Sequence, residues 1–185
     1  MNRDETPHSD PSASPDGDLV REVYARFGLC IYLAGVFETG LINILTVLST
    51  AADPVPTRQT FDRYYSKFED FTFGNLLKAL NKHAFLPQDL LDEARTRKKD
   101  RDSLAHRYFR DRDMDFVTVA GCLKMIEELK NWEEKFTVLD DKVTEFQRAA
   151  FAKRGLGVTK AQRQAGIDKR MQEAKRKYGN RRFDD

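Results

Sequence analysis

Residues 27–52 constrain this chain more than any others, because they carry a single charge, Glu38, in an otherwise uncharged run. Leu19, Val20, Val23, Phe27, Ile31, Ala34, Leu41, Leu45 and Leu48 recur at helical spacing. That pattern predicts one helix over residues 19–49, with Asp18 as its cap. A helix this apolar is either a core element or a membrane span. The uncharged runs on the two sides of Glu38 are 11 and 14 residues, short of the ~18–20 that a span needs. Glu38 would also sit near the bilayer centre, at a cost of about 3 kcal/mol or more. The expectation is therefore a buried core helix and no membrane. Glu38 then needs a partner, since a carboxylate in apolar surroundings is rarely left unpaired. Arg101 and His106 are the candidates. The plainer alternative is a Glu38 that faces solvent or sits at a small kink beside Gly40.

No alternating strand pattern occurs elsewhere, and the same three-to-four spacing continues. Asp53-Pro54-Val55-Pro56 breaks the first helix. Residues 57–69 suggest a short amphipathic helix through Phe61, Tyr64, Tyr65 and Phe68. Thr72 suits the cap of another, with Leu76, Leu77 and Leu80 inward and His83 near its end. Pro87 suits the first turn of a third, carrying Leu90, Leu91 and Ala94. Asp113 or Asp115 is expected to start a long closing helix to about Ala152. Its packing face reads Phe116, Ala120, Leu123, Ile126, Leu129, Trp132, Phe136, Leu139, Val143, Phe146 and Ala150. A stripe of that length also suits a dimer contact. The fold class is all-α, a bundle with long first and last helices.

The two ends differ in charge. Residues 1–18 hold one Arg against five acids and are rich in Pro and Ser, which predicts a disordered acidic tail containing His8. Residues 151–185 hold eleven Lys or Arg against four acids. Within them Thr159-Lys160-Ala161-Gln162 has the form of a capping box. It would open a basic helix to about Tyr178, with Ile167, Met171 and Ala174 on one face. Such a helix suits RNA, a partner protein or a membrane surface, and equally a solubilising tail. The expected domains are a tail at 1–18, a helical domain at 19–152 and a basic extension at 153–185. Cys30 and Cys122 are far apart in apolar context, which argues for reduced core thiols rather than a disulfide or zinc site. Gly155-x-Gly157 follows a helix, not a strand, so no dinucleotide loop is present and neither cofactor nor metal is expected. The N-terminus has no basic-then-apolar pattern of a signal peptide, which places the protein in the cytoplasm.

Function is most strongly suggested by Arg101-Asp102-Ser103-Leu104-Ala105-His106. Arg95, Arg97, Lys98, Lys99, Arg107, Arg110 and Arg112 surround it, opposed only by Asp100, Asp102, Asp111 and Asp113. A guanidinium fork matches phosphate oxygens, and imidazole exchanges a proton near neutral pH. Together they would bind a phosphodiester and move a proton on it. Within one regular helix, however, residues five apart point ~140° from each other, whereas Asp102 and His106 share a face. The motif must span a helix irregularity, rely on the reach of Arg101, or meet a second copy across a two-fold axis.

A long first helix with an embedded Glu, a middle of short helices, an Arg-polar-x-x-x-His motif followed by aromatics, and a long closing helix resemble the HEPN family of all-α proteins. The likeness covers about residues 19–150. It implies a metal-independent endoribonuclease of the toxin or defence type, acting as a homodimer in which RNA's own 2′-hydroxyl attacks the phosphodiester. Carried onto this chain, His106 is the general base or acid and Arg101 stabilises the charged transition state. Asp102 orients His106 or binds substrate, and Glu38 holds Arg101 or His106. Arg97, Lys98, Lys99, Arg107 and Arg110 would bind RNA, tRNA or mRNA, and Tyr108 would stack a base unless it belongs to the core. An antitoxin or regulatory protein is an expected partner. Two other readings compete: an inactive module of the same kind that binds nucleotide, RNA or a regulator, and a helical adaptor acting through its closing helix and basic tail.

Overall fold

The computed structural model describes residues 10–179. They form six α-helices and, among the described residues, no strand. The chain divides into two units at residues 144 and 145.

The first unit is organised around α1 (Gly17–Ala51), 35 residues long. Its cap is Asp16 rather than Asp18: the Asp16 carboxylate accepts from Leu19 N at 2.7 Å, and its backbone is extended. Asp18 falls inside the first turn, where a negative charge opposes the positive end of the helix dipole. Phe37, Leu41, Ile44, Leu45 and Leu48 are buried, and α1 packs on α2 (Arg58–Glu69), α3 (Phe73–Lys82) and α4 (Gln88–His106). Thr57 and Thr72 cap α2 and α3 through their side chains. α3 ends in a Schellman turn: Phe85 N reaches Leu80 O, and Ala84 N reaches Asn81 O. That turn forces Ala84 to a positive φ of 45°.

The long closing helix, α5 (Val119–Lys153), starts later than the acidic residues suggested. Asp115 belongs to one of two 3₁₀ turns, Arg110–Arg112 and Asp115–Val117. The turn packs so tightly on α5 that a Cβ at Gly121 would lie 1.9 Å from Asp115 O. Thr118, in extended conformation, is the cap, with its hydroxyl accepting from Gly121 N at 3.1 Å.

Residues 10–16 are ordered by what α5 lacks. The amides of Val119 and Ala120, which have no partner within their own helix, donate to Ala13 O and Pro11 O at 2.9 and 3.1 Å. Residues 10–16, expected to be part of a disordered tail, are therefore ordered; residues 1–9 of that expected tail, with His8, lie outside the described residues.

α1, the end of α4 and α5 share one core: Val23, Cys30 and Ala34 with Leu104 and Tyr108 and with Cys122, Met125, Ile126, Leu129 and Phe136. The expected α5 face is buried at Ile126, Leu129, Phe136, Leu139 and Val143, but near its start Leu123 is exposed and Cys122 and Met125 are buried instead. Ile31 of α1 is likewise exposed. Both cysteines are free and buried. α1 is long and apolar enough to cross a membrane by length and composition, but ten of its residues are buried inside this protein.

The second unit holds the end of α5 and α6 (Lys160–Tyr178). A second Schellman turn, with Gly155 at φ 70°, closes α5. The Thr159–Gln162 capping box forms as the sequence predicts. No residue of α6 is buried.

Candidate functional site

α4 runs without a break through Arg101 and ends on His106, where Arg107 N closes the last turn on Ser103 O at 2.9 Å. The motif therefore gains nothing from a helix irregularity, and its Arg and His diverge by ~140°. Arg101 turns to α1. Its Nε donates to Glu38 Oε1 at 2.7 Å and its Nη2 to Oε2 at 3.4 Å, a two-point pair between helices. Glu38 thus neither faces solvent nor serves a kink at Gly40. Its side chain is 18% exposed and that of Arg101 is 31% exposed.

Asp102 sits between Arg101, whose Nη1 lies 3.3 Å from its Oδ1, and Lys98, which pairs with the other oxygen. Burial raises the Asp102 carboxyl, but the hydrogen bond and charge of Lys98, helped by Arg101, outweigh it and hold the group below the usual range. The Asp102 carboxylate makes no hydrogen bond to the His106 imidazole, so the orienting role sketched from sequence is not formed in this state. His106 is exposed and, among the described residues, its imidazole makes no hydrogen bond or ion pair. It edges a shallow depression of about 200 Å³ lined also by Phe27, Leu104, Arg107 and Arg110.

The cationic residues divide into two groups. Lys99, Arg107 and Arg110 are exposed, and Arg107 and Arg110 lie only 3.9 and 3.8 Å from Asp111. Lys98 is half-buried on Asp102. Arg97 faces inward: 12% of its side chain is exposed, and Nη1 approaches Asp100 Oδ2 to 2.6 Å without hydrogen-bond alignment. It offers little to a nucleic acid. Tyr108 offers nothing, and its expected stacking role is corrected. It is 1% exposed, its hydroxyl donates to Met125 O at 3.3 Å, and its ring lies among Phe27, Phe109 and Trp132. Burial raises its phenol pKa well above the usual value.

Sequence reasoning missed Arg112, which organises the chain just past the motif. Its guanidinium lies 4.2 Å from the Tyr108 ring centroid, bonds Tyr108 O, and forks onto both carboxylate oxygens of Glu128. An Arg sixteen residues from its acid has no local signal. His83, by contrast, is the C-cap of α3, as its position suggested.

No family model, no curated protein and no solved structure matches this chain at a significant level.

Proposed function

We propose that the protein is a metal-independent endoribonuclease of the HEPN toxin or defence type, working as a dimer. The observation that carries this reading is the Glu38–Arg101 pair. It fixes the motif's guanidinium at the junction of α1 and α4 while leaving His106 exposed and unengaged. A held cation and an accessible proton carrier are the two groups that transesterification by an RNA 2′-hydroxyl requires. His106 would take the 2′-proton or protonate the 5′-leaving oxygen. Arg101 would offer its outer N–H groups to the non-bridging oxygens, and Lys99, Arg107 and Arg110 would hold the backbone.

The second reading, a binding module without catalysis, is favoured by one specific fact: Arg101 is already satisfied by carboxylates, and His106 does not converge on it within one chain. Cleavage of tRNA and total RNA in EDTA separates the two. The nuclease reading expects products with 2′,3′-cyclic phosphate ends, and losses of about 100-fold or more in His106→Ala and Arg101→Ala. Folded, inert wild type that still binds RNA would favour the module.

A further inference from the structure

The cations of this chain are unevenly answered by acids. Every Arg from Arg21 to Arg112 lies within ion-pair distance of an Asp or Glu of the same chain. In α6 no Arg or Lys forms an ion pair with any described residue, although Asp168 and Glu173 stand in the same helix. Seven cations against these two acids leave a balance of +5 on 19 residues, all of them exposed. The cations are also sorted around the helix. Arg163, Arg170 and Lys177, seven apart, form one row with steps of about 10.5 Å. Lys169 and Arg176, again seven apart, form a second row about 110° round the cylinder. The two rows share an arc of ~140° that holds a single acid, Glu173. Ile167, Met171 and Tyr178 occupy another side, about 130° from the middle of that arc.

We propose that α6 binds the phosphate backbone of a nucleic acid through this cationic arc. Phosphates repeat along a strand, so two spaced rows engage several at once, and each contact releases condensed counterions. The guanidinium groups fork onto phosphate oxygens, and the Lys residues act as point charges. The helix is already set by its capping box, so binding does not have to order it. An anionic membrane fits less well. With the apolar stripe laid on lipid, Lys169 and Arg176 would point to water instead of headgroups. The stripe also lacks the Trp, Phe or Leu that anchors such helices, since α6 contains none of the three. This role is independent of cleavage, for which Lys99, Arg107 and Arg110 supply the backbone contacts.

The full-length protein is titrated by fluorescence anisotropy with a 2′-O-methyl RNA hairpin and with a DNA duplex, neither of which has the free 2′-hydroxyl that cleavage uses. Five phosphate contacts predict that affinity falls about 500-fold between about 50 and 200 mM salt. With Arg163, Arg170 and Lys177 all changed to Gln, two contacts remain and the fall shrinks to about 10-fold. Gln keeps a similar helix propensity, and circular dichroism checks it; should helix be lost, Lys169→Gln with Arg176→Gln replaces the triple variant, with a fall of about 40-fold. Ile167→Gln with Met171→Gln is expected to leave binding unchanged. Tighter binding of the hairpin assigns RNA and tighter binding of the duplex assigns DNA; either upholds the proposal. Binding of neither probe at about 50 mM salt, or an unchanged salt dependence in the variants, overturns it. So does flotation with phosphatidylglycerol vesicles, without nucleic-acid binding, that Ile167→Gln with Met171→Gln abolishes. A wild type that binds through α6 yet never cleaves ordinary RNA upholds this role and removes the nuclease reading. Cleavage of RNA with an unchanged salt dependence in the variants does the reverse.

Discussion

Helix α1 buries ten of its 35 residues, whereas α6, with 19 residues, buries none. α1 contains glycines at 28, 35 and 40 and β-branched residues throughout, an unfavourable composition for an isolated helix. It is helical because α2, α3, α4 and α5 cover one side of it. α6 is rich in Lys, Arg, Gln and Ala, opens with a complete capping box and ends with Lys175, Arg176 and Lys177 against the negative end of its dipole. Its helicity comes from local terms. The difference teaches that a long helix is no single kind of evidence: one follows from tertiary burial, the other from propensity and caps.

Substitution at matched positions should break or confirm that contrast. Phe37→Ala, at a site with no exposure, is expected to cost about 3–5 kcal/mol in urea unfolding. Ile167→Ala in α6 is expected to cost about 0.5 kcal/mol or less. Similar costs would show that α6 packs on something.

Glu38→Ala leaves the Arg101 guanidinium short of its main partner at the α1–α4 junction, and the same measurement should show a loss of about 1–3 kcal/mol. Asp168→Ala, whose carboxylate among the described residues accepts a hydrogen bond from Gln164 one turn away, should stay within about 0.5 kcal/mol.

Thr159→Ala removes the cap of α6. It should weaken that helix by about 1 kcal/mol, visible as faster amide exchange at its first turn with no change in the main unfolding transition.

The smallest effect is expected at Asp140, whose Oδ1 lies 3.8 Å from where a Cβ on Gly40 would be. Burial, with the neighbouring charge of Asp141, raises its carboxyl above the usual 3.8. The folded protein then holds this proton more tightly than the unfolded chain. Stability from the group is present at acid pH and lost as pH rises through that raised value. Asp140→Asn should therefore be more stable than wild type at neutral pH, with the gain vanishing in acid. A gain that persists in acid would assign it to packing. Cys30, in the core shared by α1, the end of α4 and α5, has its thiol pushed up to about 12 by burial and its Sγ–H donating to Leu129 O at 3.3 Å.

Much of the architecture was legible in the residues themselves. The prolines at 54 and 56, the caps at Thr57, Thr72 and Thr159, and the spacing of Leu76, Leu77 and Leu80 mark helix ends and inward faces through interactions only a few residues long. Two helix starts went to local alternatives: the cap of α1 is Asp16, three residues from Leu19, and α5 starts past Asp115, capped by Thr118. The other errors fell where partners are remote. Residues 10–16 gained order because α5 had amides to satisfy. The candidate site divides the same way. Arg101, Asp102 and His106 stand out by type and spacing, and the need of a lone Glu38 for a cation is visible in its apolar surroundings. That Glu38 takes Arg101 rather than His106, that Tyr108 turns into the core and that Arg112 clamps Glu128 are not.

By itself the sequence determined the helical class, the ends of α2, α3 and α6 and the charge contrast between α1 and α6, because periodicity, capping and composition act within a turn or two of chain. Only the tertiary structure decided which residues of the motif are engaged. That choice depends on Glu38 and Arg101, 63 residues apart, brought together by burying apolar surface that is indifferent to which polar groups it carries along.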